Sequence, residues 1–473
     1  METHEGSVFV AGDDGLARLG VGDGGSGEDA PPETYRFSQA AAVAVPESDL
    51  DIGIWVNGQS NADGGNQDQS DPLLAAAPLY PNEALMLGTQ VRVTGTPQSV
   101  YTPLVEGVTE SNRETAASAM VNHIIKKLKD AGAPVPRFIG NVAALGGTPI
   151  ENLKRGSGTY RAMLLAIEDC VRISKAQGRT YKVGAVEWMG NETNIGALPV
   201  QAAYFARLVE QYQRDLQLDI QARTGQSEPV LLFVSLISAA PISGNPPRGG
   251  DFDHRLYEAA ALLRKNPNIR IAGPTYQLPH DPSRTDMVHQ SVKGQNRRGH
   301  IVGLAMFNEL FGRGHYDMFP QRAYWLDQTH FTIRFDVPGV GYSDGTWENA
   351  YPVMDTSEVD VAINANPVTG ATQIAGYYGF AFTDGSGSPP KIIGHTINQS
   401  TQEVTFTLDK ACTDGATARL SYAVARIDVP SVSGNLKGNR GCLRSSAPVP
   451  SLYENRDLYQ WCSNFIINIP YQR

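Results

Sequence analysis

Long apolar runs, paired cysteine motifs and blocks of positive charge are all missing from this 473-residue chain. No apolar run approaches the ~18–20 residues a membrane-crossing helix needs, so a membrane partner is not expected. The four cysteines, Cys170, Cys412, Cys442 and Cys462, form no Cys-x-x-Cys pair, which leaves a zinc knuckle or a thioredoxin-type site without support. Cys442 and Cys462 could pair in an oxidising setting, but isolated buried thiols are the expected state. Charged residues make up only 19% and sum to a net charge of −10. With no Lys/Arg block, that balance argues against a phosphate-backbone binder, and nucleic acid is not an expected partner. The start, Met1-Glu2-Thr3-His4-Glu5, has neither the basic residues nor the apolar stretch of a signal peptide, so either the chain is a mature form or export does not use that route.

What is present is a large reserve of core-forming side chains. Hydrophobic residues reach 41%, and 48 glycines with 30 prolines give a loop-rich balance suited to α/β and all-β architecture. The length is about three times that of a single ordinary domain. Residues 1–46 are Gly- and acid-rich with little to bury and are expected to form an extended leader or attachment segment. Over residues 47–318, apolar runs at Ile52–Val56, Phe138–Ala143, Val183–Glu187, Val230–Leu236 and Ile269–Gly273 alternate with amphipathic stretches. Ala116, Met120, Ile124 and Leu128 share one helical face, as do Met163 and Ile167; Phe205–Leu216 and Leu256–Leu263 read similarly. Continuous apolar strands separated by helices predict a doubly wound α/β domain, its parallel sheet covered on both faces.

From residue 319 to 473 the texture changes to short β-rich runs without helical spacers. They are Phe331–Phe335, Val359–Ile363, Tyr377–Phe382, Lys391–Ile397, Glu403–Leu408 and Ala418–Val424, broken by turns such as Asp384-Gly385-Ser386-Gly387. They predict an accessory β-sandwich.

In an open parallel sheet, ligands bind beyond the carboxyl ends of the strands. The first strand is followed by Gly58-Gln59-Ser60-Asn61, the second by Leu145-Gly146-Gly147-Thr148-Pro149-Ile150, the third by Trp188-Met189-Gly190-Asn191-Glu192, and the fifth by His280 through His289 with Asp286. A hydroxyl, a glycine pair, an amide and an Asp/His pair are thereby brought to one edge. Those are the parts of an acyl-transfer site. Ser60 is weak as a nucleophile until a base such as His289 takes its proton. Asp286, three residues earlier, could fix the imidazole tautomer from the same helical turn or from a loop. Backbone N–H groups of Ser60 and of Gly146 or Gly147, with the Asn191 amide, would receive the oxyanion. Taken singly, each string reads as an ordinary turn or capped helix start, and Asp286-x-x-His289 could also be half of a metal site with His280 and Asp281. The remaining histidines are scattered and are expected to be structural or on the surface. Glu110, Asn112, Arg113, Trp188 and Tyr276 lie at element boundaries where they could line a cleft, although a surface or core position is the expected one for each taken singly.

On Gly58–Asn61 (GQSN), Ala144–Ile150 (ALGGTPI), Trp188–Asn194 (WMGNETN) and Asp286–His289 (DMVH), residues 50–310 resemble the SGNH hydrolase superfamily. Within it they are most similar to the branch of sialate O-acetylesterases and acetylxylan esterases. The resemblance implies a flavodoxin-like three-layer α/β/α fold and removal of acetyl groups from carbohydrate, with no metal and no cofactor. It assigns Ser60 as nucleophile, His289 as base and Asp286 as its acid, with Gly146, Gly147 and Asn191 as oxyanion donors. The third motif departs from that branch's Trp-x-Gln-Gly-Glu: Gly190 stands at the Gln, Asn191 at the Gly, and Glu192 is retained. Asn191 would then restore the amide from one position along, and Glu192 is the alternative acid behind His289.

A β-sandwich after such a core, with Gly438–Ser445 (GNRGCLRS) in it, resembles bacteriophage tail-fibre and tailspike deacetylases. That second resemblance implies an acetylated surface polysaccharide as substrate, attachment to a phage tail and an extracellular or virion location. Fibre-like assembly would mean a homotrimer, although no coiled-coil heptads occur. The close competitor to the phage setting is a bacterial polysaccharide esterase. The competing readings of function are a glycan-binding or structural fibre protein on a dormant esterase fold and an esterase for another acyl substrate, such as an aryl or lipid ester.

Overall fold

The computed structural model describes residues 9–12, 15–18, 49–65, 67–68, 70–107, 114–190, 192–197, 202–237, 255–280, 289–311, 314–338, 350–357, 377–415, 417–423, 427–428, 437–438 and 441–469. The chain forms two compact units, Met1–Gln39 and Ala40–Arg473. In the first, β1 (Phe9–Gly12) pairs antiparallel with β2 (Gly15–Arg18).

The second unit is built on a seven-stranded sheet. Its strands are β3 (Leu50–Gly58), β4 (Ala84–Leu87), β5 (Tyr101–Pro103), β6 (Arg137–Ala144), β7 (Thr180–Met189), β8 (Leu231–Leu236) and β9 (Ile269–Pro274). The order is β5-β4-β6-β3-β7-β8-β9, parallel except for the edge strand β5. The five apolar runs read from the sequence all lie in this sheet; the short strands β4 and β5, with no long apolar run to announce them, were not anticipated.

Alternation along β3 separates the two helical layers. Ile52, Ile54 and Val56 face one side, where α2 (Ala117–Asp130) and α7 (Val292–Phe311) close the core. Trp55 points to the other, packed with residues of α3 (Gly158–Ala176), α5 (Ala202–Thr224) and α6 (Arg255–Leu263). The result is a three-layer α/β/α unit, as the alternation of apolar runs and amphipathic stretches predicts.

Beyond it the strands are antiparallel. Phe319–Trp325, His330–Asp336, Glu403–Leu408 and Ile392–Asn398 form one sheet in that order; Phe380–Thr383, Arg419–Tyr422 and Phe465–Asn468 form another. Their inner faces share one core in which Phe331 stacks on Phe406 at 5.2 Å and Phe380 lies 4.7 Å from Phe406. The strand expected at Val359–Ile363 lies outside the described residues. A third sheet, Pro352–Met354, Leu443–Pro450 and Asp457–Trp461, sends Val449 and Leu458 into the core beside α2 and α7. Its loop is fastened there by two 2.8 Å hydrogen bonds from Arg297 to Glu454 and by Leu452 N–H donating to His300 Nε2 at 2.8 Å.

Tyr276 takes a core position: it is fully buried among the antiparallel strands, where its hydroxyl donates to the Cys462 carbonyl at 2.7 Å. Tyr276, two residues after β9, thereby joins the parallel sheet's last strand to the antiparallel core. The four cysteines are free and buried.

Candidate active site

Pairing register brings three motifs side by side. Gly58, the last residue of β3, is opposite Ala144 of β6 and opposite Met189 of β7. The loops that follow leave one edge of the sheet from three adjacent strands.

Gly58 makes the turn between β3 and Ser60 possible. Its φ is +139°, and a Cβ there would lie 1.8 Å from the Met189 carbonyl oxygen, so only glycine fits. Gln59 ties the neighbouring loops together. Its N–H donates to Met189 O at 2.9 Å, and its Nε2 donates to Thr148 O at 2.6 Å. Ser60 then opens a single-turn helix, α1 (Ser60–Asp63), which ends at Gly64 with φ +65°.

His289 Nε2 lies 2.8 Å from Ser60 Oγ, within proton-transfer reach. The histidine arrives from a bend and not from a helix. Ser291 Oγ accepts the Gly294 N–H at 3.2 Å and caps α7, which therefore starts only at Val292. Just before the cap, Gln290 forms an antiparallel bridge with His280. Of the two arrangements open for Asp286 and His289, a shared helical turn does not extend to His289. Asp286 and Asn191 themselves lie outside the described residues, as do Asp281, Glu110, Asn112 and Arg113.

Gly146 sits against the nucleophile: a Cβ on it would lie 3.5 Å from Ser60 Cβ. Gly147 follows with φ +66° and open space around it. Among the described residues, the N–H groups of Ser60 and Gly146 donate to no protein acceptor. Thr148 Oγ1 donates to Gly146 O at 3.1 Å and stiffens this loop.

Glu192 begins α4 (Glu192–Ala197) and is buried. Its Oε1 accepts Asn61 Nδ2 at 2.8 Å. Burial pushes its carboxyl above the ordinary range, opposed by that hydrogen bond and by the nearby His289 and Arg298. The carboxylate thus bonds the residue after the nucleophile and makes no hydrogen bond to the histidine. Gly190 is packed closely: a Cβ would lie 3.3 Å from both Gln59 Cγ and Trp188 Cζ2. A side chain there would need Gln59 or Trp188 to give by a few tenths of an ångström. Trp188 is buried in the core and tilts against Tyr212 at 4.7 Å.

Three contributors were missed in the sequence. Asn61 stood inside a motif with no role assigned, whereas Gln290 and Arg298 had no signal at all. Arg298 is 2% exposed; its Nη2 donates to Asn61 O at 2.9 Å and its Nη1 to Gln290 Oε1 at 3.1 Å. Its Nε lies 3.2 Å from Glu187 Oε1, which Ser235 Oγ also reaches at 2.7 Å. Asn61 and Glu187 come from distant segments, so no local pattern marks the residue. Among the described residues no three His, Cys, Asp or Glu side chains gather as a metal site would require.

No protein-family model matches the chain, and no curated protein matches it by sequence. Solved structures with a similar backbone include a carbohydrate acetylesterase from Xanthomonas citri, 16% identical, with 88% of this chain and 80% of that one covered at a TM-score of 0.48. A protein from Arabidopsis thaliana is 18% identical over 55% of this chain and 98% of its own, at 0.39. A carbohydrate acetylesterase from Sinorhizobium meliloti is 12% identical over 53% and 96%, at 0.29. With TM-scores this low the likeness carries no argument about chemistry, which rests on this chain's own side chains.

Proposed function

We propose that the protein is a serine carbohydrate O-acetylesterase. The observation that carries this reading is the 2.8 Å approach of His289 Nε2 to Ser60 Oγ, at the carboxyl edge of a parallel sheet and beside a glycine-rich loop. His289 takes the hydroxyl proton as Ser60 Oγ attacks the acetyl carbonyl. The oxyanion that forms is received by the Ser60 and Gly146 or Gly147 N–H groups, with the Asn191 side chain as a third donor. Collapse expels the sugar hydroxyl, which leaves with the proton from His289. Water, deprotonated by His289, then attacks acetyl-Ser60, releasing acetate and restoring the serine. Asp286 holds the imidazole in the required tautomer. The sugar ester as substrate follows from the motif resemblance, as does the assignment of Asp286 over Glu192. An acetylated bacterial surface polysaccharide, met by a virion-attached protein, is the substrate and setting proposed on the second resemblance.

The test is acetate release from O-acetylated polysaccharide by the wild type and by Ser60→Ala, with EDTA in a parallel reaction. The expected result is release that EDTA leaves unchanged and that Ser60→Ala lowers by at least about 10³-fold, since nucleophile and base act as a unit. Turnover retained in Ser60→Ala would falsify the mechanism. The second reading, a glycan-binding protein on a dormant fold, is favoured by the departure at Gly190 and would be recognised by wild-type protein that binds the polysaccharide without releasing acetate.

A further inference from the structure

The contacts behind Ser60 and His289 close into a ring. Ser60 is followed by Asn61, whose Oδ1 accepts the Gln290 N–H at 3.0 Å; Gln290 follows His289, whose Nε2 returns to Ser60 Oγ at 2.8 Å. Two of the four links are covalent. Of the other two links, the one through the Asn61 side chain does not involve the reacting atoms.

That side chain is held on both sides. Its Oδ1 must face the Gln290 N–H, which can only donate, so its Nδ2 must donate, and it does so to Glu192 Oε1 at 2.8 Å. Arg298 enters from α7 and bonds the residue after the nucleophile and the residue after the base at once, through Asn61 O and Gln290 Oε1. A guanidinium presents donors in a rigid fork and suits that double contact. The fork is in turn set against Glu187 of β7.

We propose that Asn61 and Arg298 are positioning residues that hold Ser60 Oγ and His289 Nε2 at proton-transfer distance before substrate arrives, neither touching the substrate. The inference rests on the esterase reading of Ser60 and His289. Proton transfer needs heavy atoms roughly 2.6–3.2 Å apart. A displacement of about 1 Å costs on the order of 10²-fold in rate.

The experiment compares wild type, Ser60→Ala, Asn61→Ala, Asn61→Asp and Arg298→Lys in two assays: hydrolysis of 4-nitrophenyl acetate, and capture of Ser60 by a fluorophosphonate read by intact mass. Asn61→Ala is expected to lower kcat about 10²-fold with KM within about threefold, and to slow capture in parallel, while its melting temperature stays within a few degrees. Arg298→Lys keeps the charge but supplies one contact at a time, and a smaller kcat loss is expected. Asn61→Asp puts a second acceptor against Glu192, whose other charged neighbours are His289 and Arg298. At low pH the two carboxyls share a proton and the contact survives; as pH rises both ionise and repel. The ratio of wild-type to Asn61→Asp kcat is expected to grow with pH, a change that a purely structural role would not produce. Wild-type kcat and capture rate in Asn61→Ala, with Ser60→Ala inactive, overturn the positioning role alone. Wild-type turnover in Ser60→Ala, or a wild type that is neither active nor captured, removes the esterase reading and this inference together.

Discussion

Ser60 and His289 are separated by 229 positions in the chain and by 2.8 Å between Oγ and Nε2. The next residues, Asn61 and Gln290, make a second bond across the same gap at 3.0 Å. The two contacts run in parallel, so the nucleophile turn and the base segment meet as a short ladder. A ladder with two rungs resists twisting where a single bond would not, and the chemistry proposed here needs that fixed geometry.

The loop beside the nucleophile depends on Gln59. Its amide bonds the Thr148 carbonyl at 2.6 Å and so ties the glycine pair to the Ser60 turn. Gln59→Ala is expected to lower kcat for acetyl ester hydrolysis about 10–100-fold with KM within about threefold, because oxyanion donors lose alignment. Steady-state kinetics on an aryl acetate decides it; an unchanged kcat would detach this loop from the reaction.

Gly58 tolerates no side chain. Ala at φ +139°, with its Cβ 1.8 Å from the Met189 carbonyl, must push two central strands apart. A stability loss of about 3 kcal/mol is expected for Gly58→Ala, measurable as a lower urea midpoint. A midpoint equal to the wild type would mean that the strand ends yield freely.

Glu114 supplies a pH dependence. Its carboxyl is buried, accepts Asn296 Nδ2 at 2.9 Å and the Leu74 N–H at 3.1 Å, and is pushed up to about 8 by burial and then by Glu106. The unfolded chain releases this proton near 4.5 and the folded chain only near 8. Between those values the folded state holds the extra proton, so stability falls as pH rises. Glu114→Gln should flatten part of that decline, since Asn296 Oδ1, unpartnered among the described residues, can turn to accept the new amide. Urea midpoints at pH 5.5 and 8 test this; equal slopes in the two proteins would contradict it.

The thiols should be silent until the chain unfolds. Cys170 and Cys442 are buried and pushed up to about 12 by desolvation, and Cys462 well above its ordinary value for the same reason. Native protein titrated with a disulfide reagent is expected to react slowly, and denatured protein to expose four thiols without reductant. Two thiols on denaturation would mean that Cys442 and Cys462 are paired.

Much of the frame was legible along the chain because its signals are local. The runs Ile52–Val56 and Val183–Glu187 are apolar on both faces, which only a strand covered on two sides can satisfy. Gly58-Gln59-Ser60 could be read as a strand-to-helix turn, and His289 as its base, because a hydroxyl nucleophile needs such a partner. Tyr276 and Trp188 stand beside strand ends, and proximity to a strand end says nothing about which way a large ring will turn. Burial decided that: each ring found an apolar core behind or beyond the sheet. Arg298 was invisible for a different reason. Its bonds join residues 61, 187 and 290, and an isolated arginine in a helix carries no mark of such partners. Hydrophobic period and turn chemistry, which act over a few residues, determined the layers and the nucleophile turn; the hydrogen bonds that set the Ser60–His289 spacing exist only once register and packing have brought distant segments together.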